Sequence, residues 1–331
     1  MSGKEVIKEM NRHEVQEYVE TKFPGWTAKS KTAVPYRNSH VIRLELTRGH
    51  DRKEIVVKIA RNFQKEEVAR EYANLSRFHQ RIDSPVITSP QPLFVDETQG
   101  ILAMSHVQGE NLAHVLHEIR PKSQSYINSA IDLSATALAR YHEIFARDDD
   151  ADISIDSTAR ERDVNEFLSA SRQLIKKCNL RSMVTPFFDF TPWNIIIHKN
   201  SEKNCMKLYL IDFPRREYIC TPHLDLARFR FALELIKQFP PAKFLGINRW
   251  DADGLFDRFL DRYCAERQTA LNADDLALII RARSAYIRRA QDLKRKGELG
   301  WQPRLERAYL RTFSRKWLDQ NDGFSRWPES R

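Results

Sequence analysis

The sequence predicts an α+β chain, with a small antiparallel β lobe followed by a larger and mostly helical lobe. Three observations carry that expectation. First, β-rich runs at Trp26–Val34, Val41–Thr47 and Glu54–Ile59 crowd the N-terminal part and are separated by turn signals. Second, from Asn111 onward apolar residues recur mostly at helical spacing. Third, that helical half is broken at Thr185–Glu217 by two strand-like runs, Ile195-Ile196-Ile197 and Leu208–Ile211, each adjoining polar residues with chemistry.

Composition narrows the class. With 331 residues, 41% hydrophobic and 10% aromatic, the chain can bury a sizeable core and is not disordered. Ten glycines leave no G-x-G-x-x-G and no G-x4-G-K-[ST], so a dinucleotide fold and a Walker-type loop both lose support. Cys178, Cys205, Cys220 and Cys264 form no C-x-x-C and read as reduced thiols of a cytoplasmic protein. Cys205, Cys220 and His223 lack a fourth ligand at zinc-finger spacing. The N-terminus is charged where a signal peptide is apolar, and no run approaches the ~18 apolar residues of a membrane span.

Net charge is +9, and Arg281–Arg331 holds 14 Lys+Arg against 6 Asp+Glu, so the basic character belongs to the tail. That tail carries Arg281, Arg283, Arg288, Arg289, Lys294, Arg295 and Lys296, then Trp301, Trp317 and Trp327. Such a mix suits peripheral contact with an anionic membrane; a helix packed on the lobe with its basic face in water is the plainer reading. Nucleic acid is disfavoured, because no recognised module accompanies the charge.

Taken in order, Glu5–Lys22 reads as a helix stopped by Phe23-Pro24-Gly25. Lys58 stands mid-strand in Ile55-Val-Val-Lys-Ile-Ala, where a cation is costly unless paired. Lys65–Gln80 is helical, Pro85–Pro92 is a connector, and Leu93–Ser105 is a hairpin turning at Gln99-Gly100. Asn111–His117 and Ser125–Phe145 are helices by period, and Asp148–Asp156 is an acidic loop lacking the glycine and glutamate of a calcium loop. Thr158–Cys178, Phe229–Phe239, Asp253–Gln268, Ala273–Leu293 and Arg304–Leu318 complete the helices. Asp253, Asp257 and Asp261 recur every four residues, but interleaved Arg258 and Arg262 make a solvated face the simpler reading.

The chemistry concentrates in D-F-T-P-W-N-I-I, residues 189–196, and L-I-D-F, residues 210–213. Phosphoryl transfer asks for a base to orient an acceptor hydroxyl and for hard oxygen donors to hold magnesium. Asp189 supplies the first, and Asn194 with Asp212 the second. The spacing matches the catalytic and metal-binding loops of the protein-kinase-like fold, and the stretch resembles the aminoglycoside phosphotransferase group of bacterial small-molecule kinases. The other reading is a pair of strand-end aspartates that cap turns.

The resemblance implies a two-lobe chain, a nucleotide-binding lobe over residues 1–105 and a catalytic, acceptor-binding helical lobe over 106–331. It implies ATP and Mg2+ as cofactors, with transfer of the γ-phosphoryl group to a hydroxyl of a small molecule or glycan, here read as of the lipid-linked, cell-envelope kind. Lys58 then holds the α/β-phosphates and Glu71, in R-E-Y-A-N-L-S-R-F, orients it. Backbone groups from Ser105 to Val107 bind the adenine edge, and the loop 35–40, with Arg37 and Ser39, covers the phosphates unless it is a plain hairpin turn. Asp225 braces the catalytic loop or simply complements a helix dipole. The family's base usually follows His-Gly, whereas Asp189 follows Phe187-Phe188. A kinase-like binding or scaffold protein without turnover is therefore the alternative.

Overall fold

In the computed structural model, the structure describes residues 10–35, 39–60, 65–117, 122–147, 171, 173–200, 205–216, 219–237 and 250–295. The chain divides into two compact units, the first formed by residues 1–109 and 209–216, the second by 110–208 and 217–331.

In the first unit, helix α1 (Arg12–Lys22) is opened by a capping box: Asn11 accepts from Glu14 N–H, and the Glu14 carboxylate accepts from Asn11 N–H. Strands β1 (Thr27–Pro35), β2 (Ser39–Arg48) and β3 (Asp51–Ala60) form an antiparallel meander. Helix α2 (Lys65–Arg81), β4 (Ile87–Thr88), β5 (Pro92–Asp96) and β6 (Ile101–Ser105) follow, and the sheet order is β1-β2-β3-β6-β5. Gly100 turns the last hairpin at φ +66, a conformation that favours glycine.

Strand periodicity organises the core. Ile42, Leu44 and Leu46 of β2 and Ile55, Val57 and Ile59 of β3 cluster with Val15 and Val19 of α1. Lys58 alternates to the opposite face of β3, where α1 does not cover it. The segment Tyr209–Arg216 belongs to this unit and not to the helical one. Phe213 packs on Phe78 of α2 with ring centres 5.4 Å apart, and Asn74 donates its amide to the Pro214 carbonyl at 2.9 Å. The boundary drawn from the sequence at 105/106 has no counterpart for that return, because its contacts are tertiary.

The second unit begins with β7 (Glu110–Asn111), α3 (Leu112–His117) and α4 (Gln124–Ile144). Strands β8 (Ala146–Arg147) and β9 (Met183–Val184) pair, and Val184 exchanges backbone hydrogen bonds with Cys220 at 2.8 and 3.0 Å. A single 3-10 turn at Pro192–Asn194 leads into β10 (Ile195–Asn200), which pairs with β7 and neighbours β11 (Cys205–Leu210). Helices α5 (His223–Lys237), α6 (Ala252–Glu266) and α7 (Ala273–Arg295) close the described chain. Tyr141, Phe145, Phe187, Phe190, Phe229 and Phe259 form the aromatic centre, with Tyr141–Phe145 and Phe229–Phe259 stacked at 4.4 and 4.2 Å.

Among the described residues no helix is long and apolar enough to cross a membrane. One member of the basic tail departs from the solvated face expected of it. Arg283 is buried, its Nε and Nη2 donating to Glu234 Oε2 at 2.9 and 2.8 Å, because α5 lays a carboxylate against α7. Arg258 and Arg262 likewise pair elsewhere, with Asp132 and Glu266, and Arg230 takes Asp253. Arg37, the acidic loop 148–156, the helix expected at 304–318, Lys296 and the three tail tryptophans lie outside the described residues.

Candidate active site

The predicted residues fall into two groups, one in each unit. In the first unit, Lys58 Nζ lies 2.6 Å from Glu71 Oε1 and also binds Asp212 Oδ1. Glu71 is held from its other side by Arg215 Nε at 2.8 Å, and Arg216 secures Glu67 on the same helix. Burial disfavours the lysine's charge, but Asp212 and Glu71 outweigh it and hold its pKa above the ordinary value. For Asp212, the packing around it opposes ionisation, and Lys58 overrides this and lowers its pKa. The mid-strand cation is thus paired on both flanks.

Asp212 sits at φ +61, a left-handed conformation uncommon for a residue with a side chain, two residues beyond the end of β11. Phe213 and Pro214 anchor the segment on α2, so the strained turn is held from beyond it. The Asp212 side chain remains 44% exposed, so a carboxylate already oriented by Lys58 is open to a further ligand.

Elsewhere in this unit Ser39 is buried at the start of β2, opposite Ala60. Ser105 N–H donates to the Gln91 carbonyl at 2.9 Å and His106 N–H to that of Glu54 at 3.0 Å. Val107 N–H makes no backbone hydrogen bond among the described residues. Ser105 is engaged because its hydroxyl also accepts Gln91 N–H, at 2.8 Å, and closes the strand end.

In the second unit Asp189 and Asn194 face each other across the 3-10 turn. Asn194 Nδ2 donates to the Asp189 carbonyl at 3.0 Å and to its Oδ2 at 3.2 Å. That bonding leaves the amide oxygen of Asn194 as its ligand atom. An amide oxygen here and, in the first unit, the half-exposed carboxylate of Asp212 are each a donor of the type magnesium takes.

The loop before Asp189 is braced by Asp225, as expected for the bracing role. Asp225 is fully buried at the start of α5, and its two oxygens accept Phe187 N–H and Phe188 N–H, both at 2.7 Å. Phe188, directly before Asp189, has φ +69, a left-handed conformation that favours glycine. Phe187 packs edge-on to Tyr141 and Phe190 at 5.1 and 5.7 Å.

Two neighbours of these residues had no role assigned from the sequence. His142 of α4 sits between Asp225 Oδ2 and the Tyr263 hydroxyl, 2.9 and 2.8 Å away. Arg228 of α5 reaches Asp189 Oδ1 with Nη2 at 2.6 Å and Nε at 3.0 Å. Each had one faint signal, a histidine among apolar α4 residues and an arginine one turn after Asp225.

Cys178, His223 and Asp275 form a buried group of metal-ligating types. Its carboxylate is already satisfied. Asp275 accepts from His223 at 2.9 Å, from the backbone N–H groups of Asn179, Leu180 and Asn272, and shares a capping box with Asn272. Burial and Asp275 push the Cys178 thiol up to about 12, so it stays protonated, and the group pins α7 to the rest of its unit.

No family model matches the chain, and no curated protein matches it. Among solved structures it is similar to glucosamine kinase. One crystal form aligns with a TM-score of 0.54 and 14% identity over 96% of this chain and 86% of that one. The complex of glucosamine kinase with glucosamine, ADP and inorganic phosphate aligns at 0.50 and 12% identity over 94% and 84%. The chain has a protein-kinase-like fold. That fold was expected from D-x4-N and the following L-I-D-F, and within it Lys58, Glu71 and Asp212 pair in one unit while Asp189 and Asn194 pair in the other.

Proposed function

We propose that the chain is an ATP-dependent phosphotransferase acting on a hydroxyl of a small molecule or glycan. The observation that carries this reading is the buried Lys58 clamped between Glu71 and Asp212 in a chain of kinase-like fold. A lysine so held is presented as a fixed point charge for phosphate oxygens, and Glu71 keeps it aimed. Lys58 takes the α/β-phosphates, Val107 N–H the adenine edge and Ser39 the phosphate cover.

Asp189 orients the acceptor hydroxyl. As the acceptor oxygen bonds to the γ-phosphorus, the bond from that phosphorus to the β-γ bridging oxygen breaks, ADP leaves, and the hydroxyl proton passes to an Asp189 oxygen. Asn194 and Asp212 are the residues that would hold magnesium, which would neutralise charge on the phosphates.

The test is incubation of the purified chain with ATP and Mg2+ and an acceptor panel that begins with glucosamine and includes lipid-linked glycans, read by ADP release and by product mass. Asp189→Asn and Asp212→Asn are expected to lower turnover by about a hundredfold or more. Nucleotide binding without transfer to any acceptor is the result expected of a scaffold protein and sinks the enzyme reading.

A further inference from the structure

Helix α5 sends two charged side chains, one turn apart, to one loop. Asp225 fixes the backbone before Asp189 by accepting Phe187 and Phe188 N–H at 2.7 Å. Arg228, three residues on and therefore on the same helix face, fixes the carboxylate itself. Its Nε and Nη2 converge on Asp189 Oδ1 at 3.0 and 2.6 Å, while Asp189 Oδ2 accepts from Asn194 at 3.2 Å.

Arg228 is itself held. Its guanidinium carbon lies 5.4 Å from the ring centre of Tyr286 on α7 and 5.9 Å from that of Phe231, distances at which a cation is attracted to a ring face. Burial disfavours its charge, yet Asp189 overrides that and raises its pKa, so the arginine remains charged. Without it the Asp189 carboxylate, 49% exposed, has Asn194 as its remaining hydrogen-bond partner among the described residues.

We propose that Arg228 is a positioning residue that locks the Asp189 carboxylate in one orientation, with Oδ1 clamped and Oδ2 turned to the acceptor hydroxyl. This rests on the phosphotransferase reading above. A guanidinium partner makes the carboxylate a weaker base, but phosphoryl transfer asks more for an oriented hydroxyl than for early proton removal, so orientation outweighs basicity. Misplacing a reacting group by about 1 Å costs up to about a hundredfold in rate.

The experiment has two arms on the full chain. The first follows the arginine Nε–H resonances of 15N-arginine-labelled protein. A slowly exchanging Arg228 signal, absent in Arg228→Lys and displaced in Asp189→Asn, is expected, and its absence from the wild type overturns the clamp whatever the enzyme does. The second measures ADP release from ATP with glucosamine or water as acceptor. Arg228→Met is expected to lower kcat about tenfold to a hundredfold with the KM for ATP within about twofold, and Arg228→Lys to recover part of the loss.

Folded variants with wild-type kcat overturn the proposal. Should Arg228→Met not fold, Arg228→Lys decides alone, with a kcat equal to wild type as the overturning result. A wild type that transfers no phosphoryl group to any acceptor fails the kinase reading instead, and the resonance arm still judges the contact.

Discussion

His142 Nε2 lies 2.9 Å from Asp225 Oδ2, and neither side chain has any exposed surface. Asp225 in turn holds the two backbone N–H groups that precede Asp189, so a residue of α4 secures the candidate base through one intermediary. Loss of the imidazole leaves a buried carboxylate short of a donor and the Tyr263 hydroxyl without its partner. His142→Ala is expected to destabilise the fold by about 2–3 kcal/mol, measured by urea unfolding.

The same pair makes stability depend on pH. Burial lowers the His142 pKa below 6.5, with Asp225 opposing the shift and Arg267 and His223 assisting it. The folded chain therefore binds fewer protons at this site than the unfolded chain, so its contribution is present above about pH 6.5 and is lost as pH falls through and below that value. Unfolding free energy measured between pH 8 and pH 5 is expected to fall more steeply for wild type than for His142→Asn. Equal slopes would remove His142 as the titrating group.

Phe188 carries a second expectation. At φ +69 a phenylalanine is strained by about 1–2 kcal/mol relative to a residue that accepts the left-handed region. Asp225, accepting the backbone N–H groups of both Phe187 and Phe188, holds the strained geometry in place. Phe188→Asn and Phe188→Gly are expected to keep stability within about 1 kcal/mol of wild type, while a β-branched Phe188→Val loses about 2 kcal/mol or more. Thermal unfolding of the three variants ranks them.

What the sequence revealed was local and periodic. The β meander was legible because Ile42, Leu44 and Leu46 alternate, and Lys58 stood out because the strand around it is apolar. Asp189 and Asn194 were legible because five residues of chain bring them together in one turn. His142, Arg228 and Arg283 were not, since each finds its partner through helix packing, 83, 39 and 49 residues away. Arg283 misled in particular: among so many arginines nothing local separates the one that meets Glu234 in the interior.

At the strand end after β6, Val107 offers a further test. Its N–H is unengaged by backbone among the described residues, whereas those of Ser105 and His106 are committed to Gln91 and Glu54. Val107→Pro deletes a donor without breaking a backbone hydrogen bond. The KM for ATP is expected to rise about tenfold with a change in melting temperature of only a few degrees. An unchanged KM would move adenine recognition away from this residue.

Glu71 has two cationic partners and Lys58 two anionic ones, and the asymmetry between their surroundings separates stability from activity. Removing Lys58 leaves Glu71 bound to Arg215 at 2.8 Å and leaves Asp212 partly in water, so no buried charge is stranded. Removing Glu71 keeps Lys58 on Asp212 but leaves the mostly buried Arg215 without its 2.8 Å acceptor. Lys58→Met is therefore expected to unfold close to the wild-type urea midpoint while losing about a hundredfold or more in turnover. Glu71→Ala is expected to lose about 3 kcal/mol of stability and less turnover than Lys58→Met, because Asp212 still holds the lysine. The double variant then gives a coupling energy of about 1–3 kcal/mol in the unfolding cycle. Additive unfolding energies would mean that the 2.6 Å contact between Lys58 and Glu71 does not act as a unit.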